Sequence, residues 1–115
     1  MTDTVDISVK DWSGKDRRVQ VKCYPCGVPG LVVHHGLKTG PITQLEAGWT
    51  ITHRQSGLRV VNVCFRSRLF ATAAAQRLKR AADWTKPPKA ITGSAVTSAA
   101  VKALRLSIPQ HELRC

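Results

Sequence analysis

Cys23-Tyr24-Pro25-Cys26-Gly27 is the stretch of this chain with the sharpest chemical meaning. Two thiolates two residues apart can grip one metal ion, and a following glycine eases the tight knuckle around it. His34 and His35 come next, on a segment that reads as a strand. Neighbouring strand residues face opposite sides, so at most one of them can join the cysteines. Cys23, Cys26 and His35 are the candidate ligands of a structural zinc, with the fourth open among His53, Cys64, His111 and Cys115. The second C-x-x-C that would specify such a site does not occur. The competing reading is two semi-buried thiols at a Pro-Gly turn. A thiol oxidoreductase is disfavoured: its reactive cysteine opens a helix, and Gly27-Val28-Pro29-Gly30 cannot comfortably begin one.

The second constellation is positive charge. Between residues 54 and 89, Arg54, Arg59, Arg66, Arg68, Arg77, Lys79, Arg80, Lys86 and Lys89 oppose one acid, Asp83. Nine cations against one acid make +8 of the chain's net +11. Crowded like charges repel, and nucleic acid is the common compensation for a small basic protein. The plain alternative is a solvated basic face. Arg54 and Arg59 flank a turn, and Thr50, Thr52 and Asn62 are expected on the same outward face of a two-stranded ribbon. Such a ribbon can enter a DNA major groove and read base edges or phosphates. Arg66 and Arg68 stand at the start of the following helix, whose free amides also favour phosphate. Lys79 and Arg80 lie further along its polar side.

Catalytic patterns are weak. The seven acids are scattered, the four histidines lack a recognisable carboxylate or serine partner, and no glycine-rich loop leads from strand to helix. The chain is read as a non-enzyme.

Several elements must position these residues. Val5, Ile7 and Val9 alternate with polar neighbours, Ser13-Gly14-Lys15-Asp16 is turn chemistry, and Val19, Val21 and Cys23 resume the alternation. Leu31–His35 reads as a third short strand, and 36–48 as a loop punctuated by Gly40-Pro41. A hairpin at 49–65 is expected around the three-residue loop Gln55-Ser56-Gly57. That register pairs Arg54 with Leu58, Thr52 with Val60, Ile51 with Val61 and Trp49 with Val63. It gathers Trp49, Ile51, Val61, Val63 and Phe65 on one face. Ser67 is the expected N-cap of a helix over 68–84, whose apolar side carries Phe70, Ala74, Leu78 and Ala81 with Ala73 alongside. Lys86-Pro87-Pro88-Lys89 should stop it, and an alanine-rich helix over 95–106 follows.

The fold expected is α+β: an antiparallel sheet of about four or five strands packed by one long amphipathic helix, plus a C-terminal helix. Residues 1–89 form the α+β domain and 90–115 a helical extension. At 115 residues with 43% apolar content the chain can bury a real core, though only 5% is aromatic. No apolar run reaches membrane-spanning length and the N-terminus is polar. The expected setting is the cytoplasm, or a virion or infected-cell cytoplasm, and not the secreted space.

The hairpin, Phe65-Arg66-Ser67, and Ala71, Ala74 and Leu78 on a helix resemble the end of three-stranded-sheet DNA-binding domains, such as the arm-site-binding domain of tyrosine integrases. The resemblance covers residues 49–84. It implies a sheet laid in the major groove, with Thr50, Thr52, Arg54, Arg59 and Asn62 on the contacting face. The spacing of Ser67-Arg68, Ala71 and Ala74-Ala75 is also similar to the last helix of double-stranded-RNA-binding domains. The function expected is non-enzymatic binding of nucleic acid, DNA ahead of RNA, through hairpin 49–65 and the helix start. The alternative is a protein-interaction module of a phage or other mobile element, docking its basic face on an acidic protein.

Overall fold

A computed structural model of the chain describes residues 3–10, 13–38, 44–61, 63–86, 95–109 and 112–113. It is an α+β protein with two antiparallel sheets, of two and four strands, and two helices. Strands β1 (Thr4–Lys10) and β2 (Asp16–Lys22) form the expected hairpin, with Val5 opposite Val21 and Ile7 opposite Val19. Gly14 in its turn has φ +86°, a conformation costly for any residue with a Cβ.

The second sheet runs β3 (Tyr24–Pro25), β4 (Leu31–Lys38), β5 (Gln44–His53), β6 (Leu58–Arg59) in spatial order. The loop expected over 36–48 is largely strand. β4 and β5 pair from Leu31–His53 to Lys38–Gln44, and the register shifts between His35 and Leu37. Gly36 and Gly48 sit at this bulge, where the absence of a Cβ eases the irregularity. The glycines that suggested a loop mark a kink in a long ribbon.

Two sheets form where one was expected, and the difference decides what each face can do. The β1–β2 hairpin packs on one face of the larger sheet, where Val5, Ile7, Val21, Cys23 and Val32 make a small core edged by Val19. On the other face, Leu31, Val33, Ile51, Val61 and Phe65 join Ala71, Ala74, Ala75, Leu78 and Trp84 in the main core. Each fully buried valine, leucine, isoleucine or phenylalanine side chain there stabilises the fold by about 1.5–3 kcal/mol.

The hairpin register also differs from expectation. His53 pairs with Leu58 and Thr52 with Arg59, around a four-residue turn at 54–57. The Gly57 amide, at φ +72°, donates to His53 O and closes it. The ladder then breaks and resumes at Trp49–Phe65. The irregular stretch between restores the parity, so Ile51, Val61 and Phe65 still share a core, with Trp49 and Val63 packed against it.

Helix α1 spans Arg68–Arg77, capped by Ser67, whose Oγ accepts from the Phe70 amide at 3.2 Å. It stops well short of Trp84. The Trp84 indole Nε1 donates to Leu78 O at 2.8 Å, occupying a carbonyl that a longer helix would use, and the chain continues in turns. The buried positions are Ala71, Ala74, Ala75 and Leu78; Ala73 is exposed, and Phe70 and Ala81 are half-buried. The alanines let the helix lie close to the sheet.

Helix α2 spans Ala95–Ser107, one residue longer than expected, and sends Leu104 into the main core. Leu113 bridges to Phe65, and the Arg66 amide donates to Glu112 O at 2.8 Å. Among the described residues no helix is long and apolar enough to cross a membrane. Asn62, Trp12, His111, Cys115 and the 87–89 spacer lie outside the described residues.

Candidate nucleic-acid interface

Thr50 and Thr52 were expected on an outward face, and the structure buries both to 1% exposure. The β1–β2 hairpin covers the sheet face to which they belong. Thr52 Oγ1 lies 2.6 Å from His34 Nε2, while His34 Nδ1 lies 2.7 Å from the His35 carbonyl oxygen. A carbonyl can only accept, so Nδ1 carries the proton and Nε2 accepts from the threonine. Burial, the largest cause, holds the His34 pKa below its ordinary value. The imidazole is a neutral brace between β4 and β5 within the four-stranded sheet. Neither threonine can reach a nucleic acid, and the sheet face that the integrase-like resemblance would lay in a groove is covered.

Arg54 is exposed but engaged. Its guanidinium pairs with the Asp3 carboxylate, donates to Thr4 O at 3.3 Å and reaches Cys23 Sγ at 3.6 Å. The Arg54 hydrogen bond pulls the Asp3 pKa below the usual carboxylate range. From the opposite side, Arg18 of β2 donates to Ser56 O at 3.2 Å. These two arginines strap the 54–57 turn to the first hairpin. A recess of about 370 Å³ lies there, and its charged lining groups are Asp6, Arg18 and Arg54. Its two arginines already hold internal partners, which argues against a ready-made anion site.

Arg59, Arg66, Arg68, Lys79 and Arg80 are all exposed. The structure places Arg66 and Arg68 around the cap of α1, and Lys79 and Arg80 in the turns that follow it. Arg77, in the helix's last turn, is tied to α2 through Ser107 Oγ at 2.7 Å.

Cys23 and Cys26 do not converge. Cys23 belongs to the small core on the hairpin side and Cys26 to the main core on the helix side. Tyr24 and Pro25 between them are extended, and extended residues an odd number apart face opposite ways. Burial pushes both thiols up in pKa, and Cys26 Sγ lies 3.3 Å from Leu31 O as a donor would. His35 sits against the Trp49 ring, 4.0 Å between centroids. Among the described residues no three His, Cys, Asp or Glu side chains come close enough to hold a metal. Cys23, Cys26 and His35 therefore do not fit one zinc ion.

One cluster was missed by sequence reasoning. Tyr24 of β3 carries the Arg68 guanidinium over its ring at 4.7 Å and Lys22 Nζ at 5.4 Å from the centroid, beside Trp49 at 5.6 Å. The period-two spacing of Lys22 and Tyr24 was the available signal; that Arg68 meets them requires the fold.

These features define an α+β protein of two layered sheets, with exposed cations at both ends of one short helix and others on the first hairpin, the 54–59 turn and α2. Comparison with protein-family models, with curated proteins and with solved structures returns no match for this chain.

Proposed function

We propose that this protein is a non-enzymatic nucleic-acid-binding protein that grips the phosphate backbone through cations around α1. Lys22, Arg66 and Arg68 act at one end of the helix, Lys79 and Arg80 at the other. The observation that carries the reading is the convergence of Lys22 and Arg68 on one half-buried ring. Two like charges held against one ring, in a chain of net +11, are best relieved by a polyanion. With Thr50 and Thr52 buried, the contacts left are to phosphate and carry little base-edge readout.

The test is fluorescence anisotropy against labelled double-stranded DNA, single-stranded DNA and RNA over a range of salt. About four neutralised phosphates give a slope of log K against log salt of roughly −3 to −4. The double reversal Arg66→Glu, Arg68→Glu should weaken binding far more than Lys15→Glu with Arg17→Glu on the first hairpin. Equal losses would sink this placement of the interface.

A second reading, docking on an acidic protein, is favoured by Leu69 and Leu106, 75% and 74% exposed, each next to an arginine. Apolar side chains beside charge suit a protein partner. Salt-insensitive silence toward all three nucleic acids would turn the search that way.

A further inference from the structure

The ring of Tyr24 is where side chains of three other elements meet. Lys22 ends β2, Arg68 opens α1, and Trp49 lies on β5 with its ring tilted 57° to the tyrosine and braced by His35. Arg68 is exposed, so its position over the ring is not forced by burial. Attraction between the guanidinium and the ring face holds it there, which lowers the ordering cost of using it. A guanidinium backed by an aromatic ring presents its outer side to solvent, and nucleobases stack on such surfaces. The phosphate next to a stacked base would meet the charges of Lys22 and Arg68. A base paired inside a duplex offers no free face, so the arrangement suits a splayed, single-stranded nucleotide.

We infer that Tyr24 and Arg68, with Lys22 beside them, form a stacking site for an unpaired base of a single-stranded nucleic acid. The inference rests on the phosphate-binding reading above and adds base contact to it. Stacking needs only a π-face, so the site is indifferent to base identity.

The experiment compares an oligothymidylate of about twelve nucleotides with an abasic oligomer of the same length and charge. The protein should bind the first about 5- to 150-fold more tightly. Arg68→Lys keeps the charge and removes the planar surface; it should bring that ratio close to one. Tyr24→Leu should do the same. Because Arg68 is exposed, its lysine variant keeps the fold even if the tyrosine variant does not. Equal, salt-dependent affinity of the protein for both oligomers would overturn the stacking site and leave phosphate binding standing. A ratio untouched by Arg68→Lys and by Tyr24→Leu would overturn the assignment to this ring. No binding of either oligomer at low salt would overturn the stacking site, and silence toward duplex DNA and RNA as well would overturn phosphate binding.

Discussion

The two faces of the four-stranded sheet are built on different physics. The helix side is closed by apolar groups: Phe65, Ile51, Leu78 and Val33 are buried there among alanines and Trp84. The hairpin side buries His34, Thr50 and Thr52 beside a few valines, with His34 bonded to Thr52 across β4 and β5. Helix-side stability should therefore respond to volume and shape, and hairpin-side stability to proton occupancy and partner loss. The Thr50 hydroxyl, buried with no partner among the described residues, sharpens the contrast.

The largest effect is expected on the helix side, at Gly30. Its φ is +90°, and a Cβ there would stand 2.3 Å from Trp84 O and 2.4 Å from Trp84 C. That backbone cannot simply retreat. Trp84 O accepts from His53 Nε2 at 2.8 Å, and the Trp84 indole is bonded to Leu78 O. Gly30→Ala must break this knot or twist β4 away from it, at roughly 3 kcal/mol or more. Urea denaturation should show a large fall in midpoint, or no folded protein. By contrast Gly14→Ala, with nothing within 4 Å of the added Cβ, carries only the cost of its positive φ. Comparable losses at the two glycines would mean that Trp84 does not sit on Gly30 in solution.

How much of this was legible in the sequence follows the same division. On the helix side, Trp49, Ile51, Val61, Val63 and Phe65 announce one apolar face, and Ser67 announces the helix start; these survive even though the hairpin register is one residue off. The helix end was not legible, because no glycine or proline follows Arg77 before residue 87; i→i+3 turns take over there, and the Trp84 indole bonds back to Leu78 O from six residues away. On the hairpin side the threonines read as solvent-facing, since alternation marks them polar and nothing local shows that a second sheet covers them. The site divides similarly. Exposed cations such as Arg66 and Arg80 follow from composition, whereas the tie of Arg54 to Asp3 spans 51 residues and is invisible to any local pattern. The separation of Cys23 from Cys26 could have been read from strand parity, had Tyr24-Pro25 been recognised as extended.

A mid-sized effect is expected on the hairpin side. Thr52→Val keeps the shape but removes the donor to His34 Nε2, leaving a buried acceptor unpaired at a cost of about 1–3 kcal/mol. The double variant His34→Leu, Thr52→Val removes both partners and should recover much of that loss. The pH dependence separates this from simple packing. His34 in the folded protein has a pKa below its ordinary value near 6.5, so the unfolded chain binds its proton first as pH falls. Stability is intact above about pH 7. It declines as pH drops through the unfolded value toward the depressed folded one, then levels off. The groups that bear on His34 here are Thr52, the His35 carbonyl and ring, and the positive charge of Arg59; the last two also oppose protonation. Denaturation midpoints between pH 7 and 5 should slope for the parent protein and flatten for the double variant. A slope that survives in the double variant would move the effect to another histidine.

The smallest effect is expected at the rim between the two regions. Asp3 and Arg54 are both substantially exposed, and such ion pairs contribute little in water and less in salt. Asp3→Asn should lower the thermal midpoint by less than Thr52→Val does, and the difference should shrink as salt is raised. Its pH window is also separate. The Asp3 pKa is depressed, so whatever the pair contributes is present above the unfolded carboxylate value near 3.9 and is lost only as pH falls below it. Loss of stability between pH 7 and 5 thus reports on His34, and loss below 4 includes Asp3. If Asp3→Asn instead matched Thr52→Val, the strap around the 54–57 turn would contribute as much to stability as the buried His34–Thr52 bond between β4 and β5.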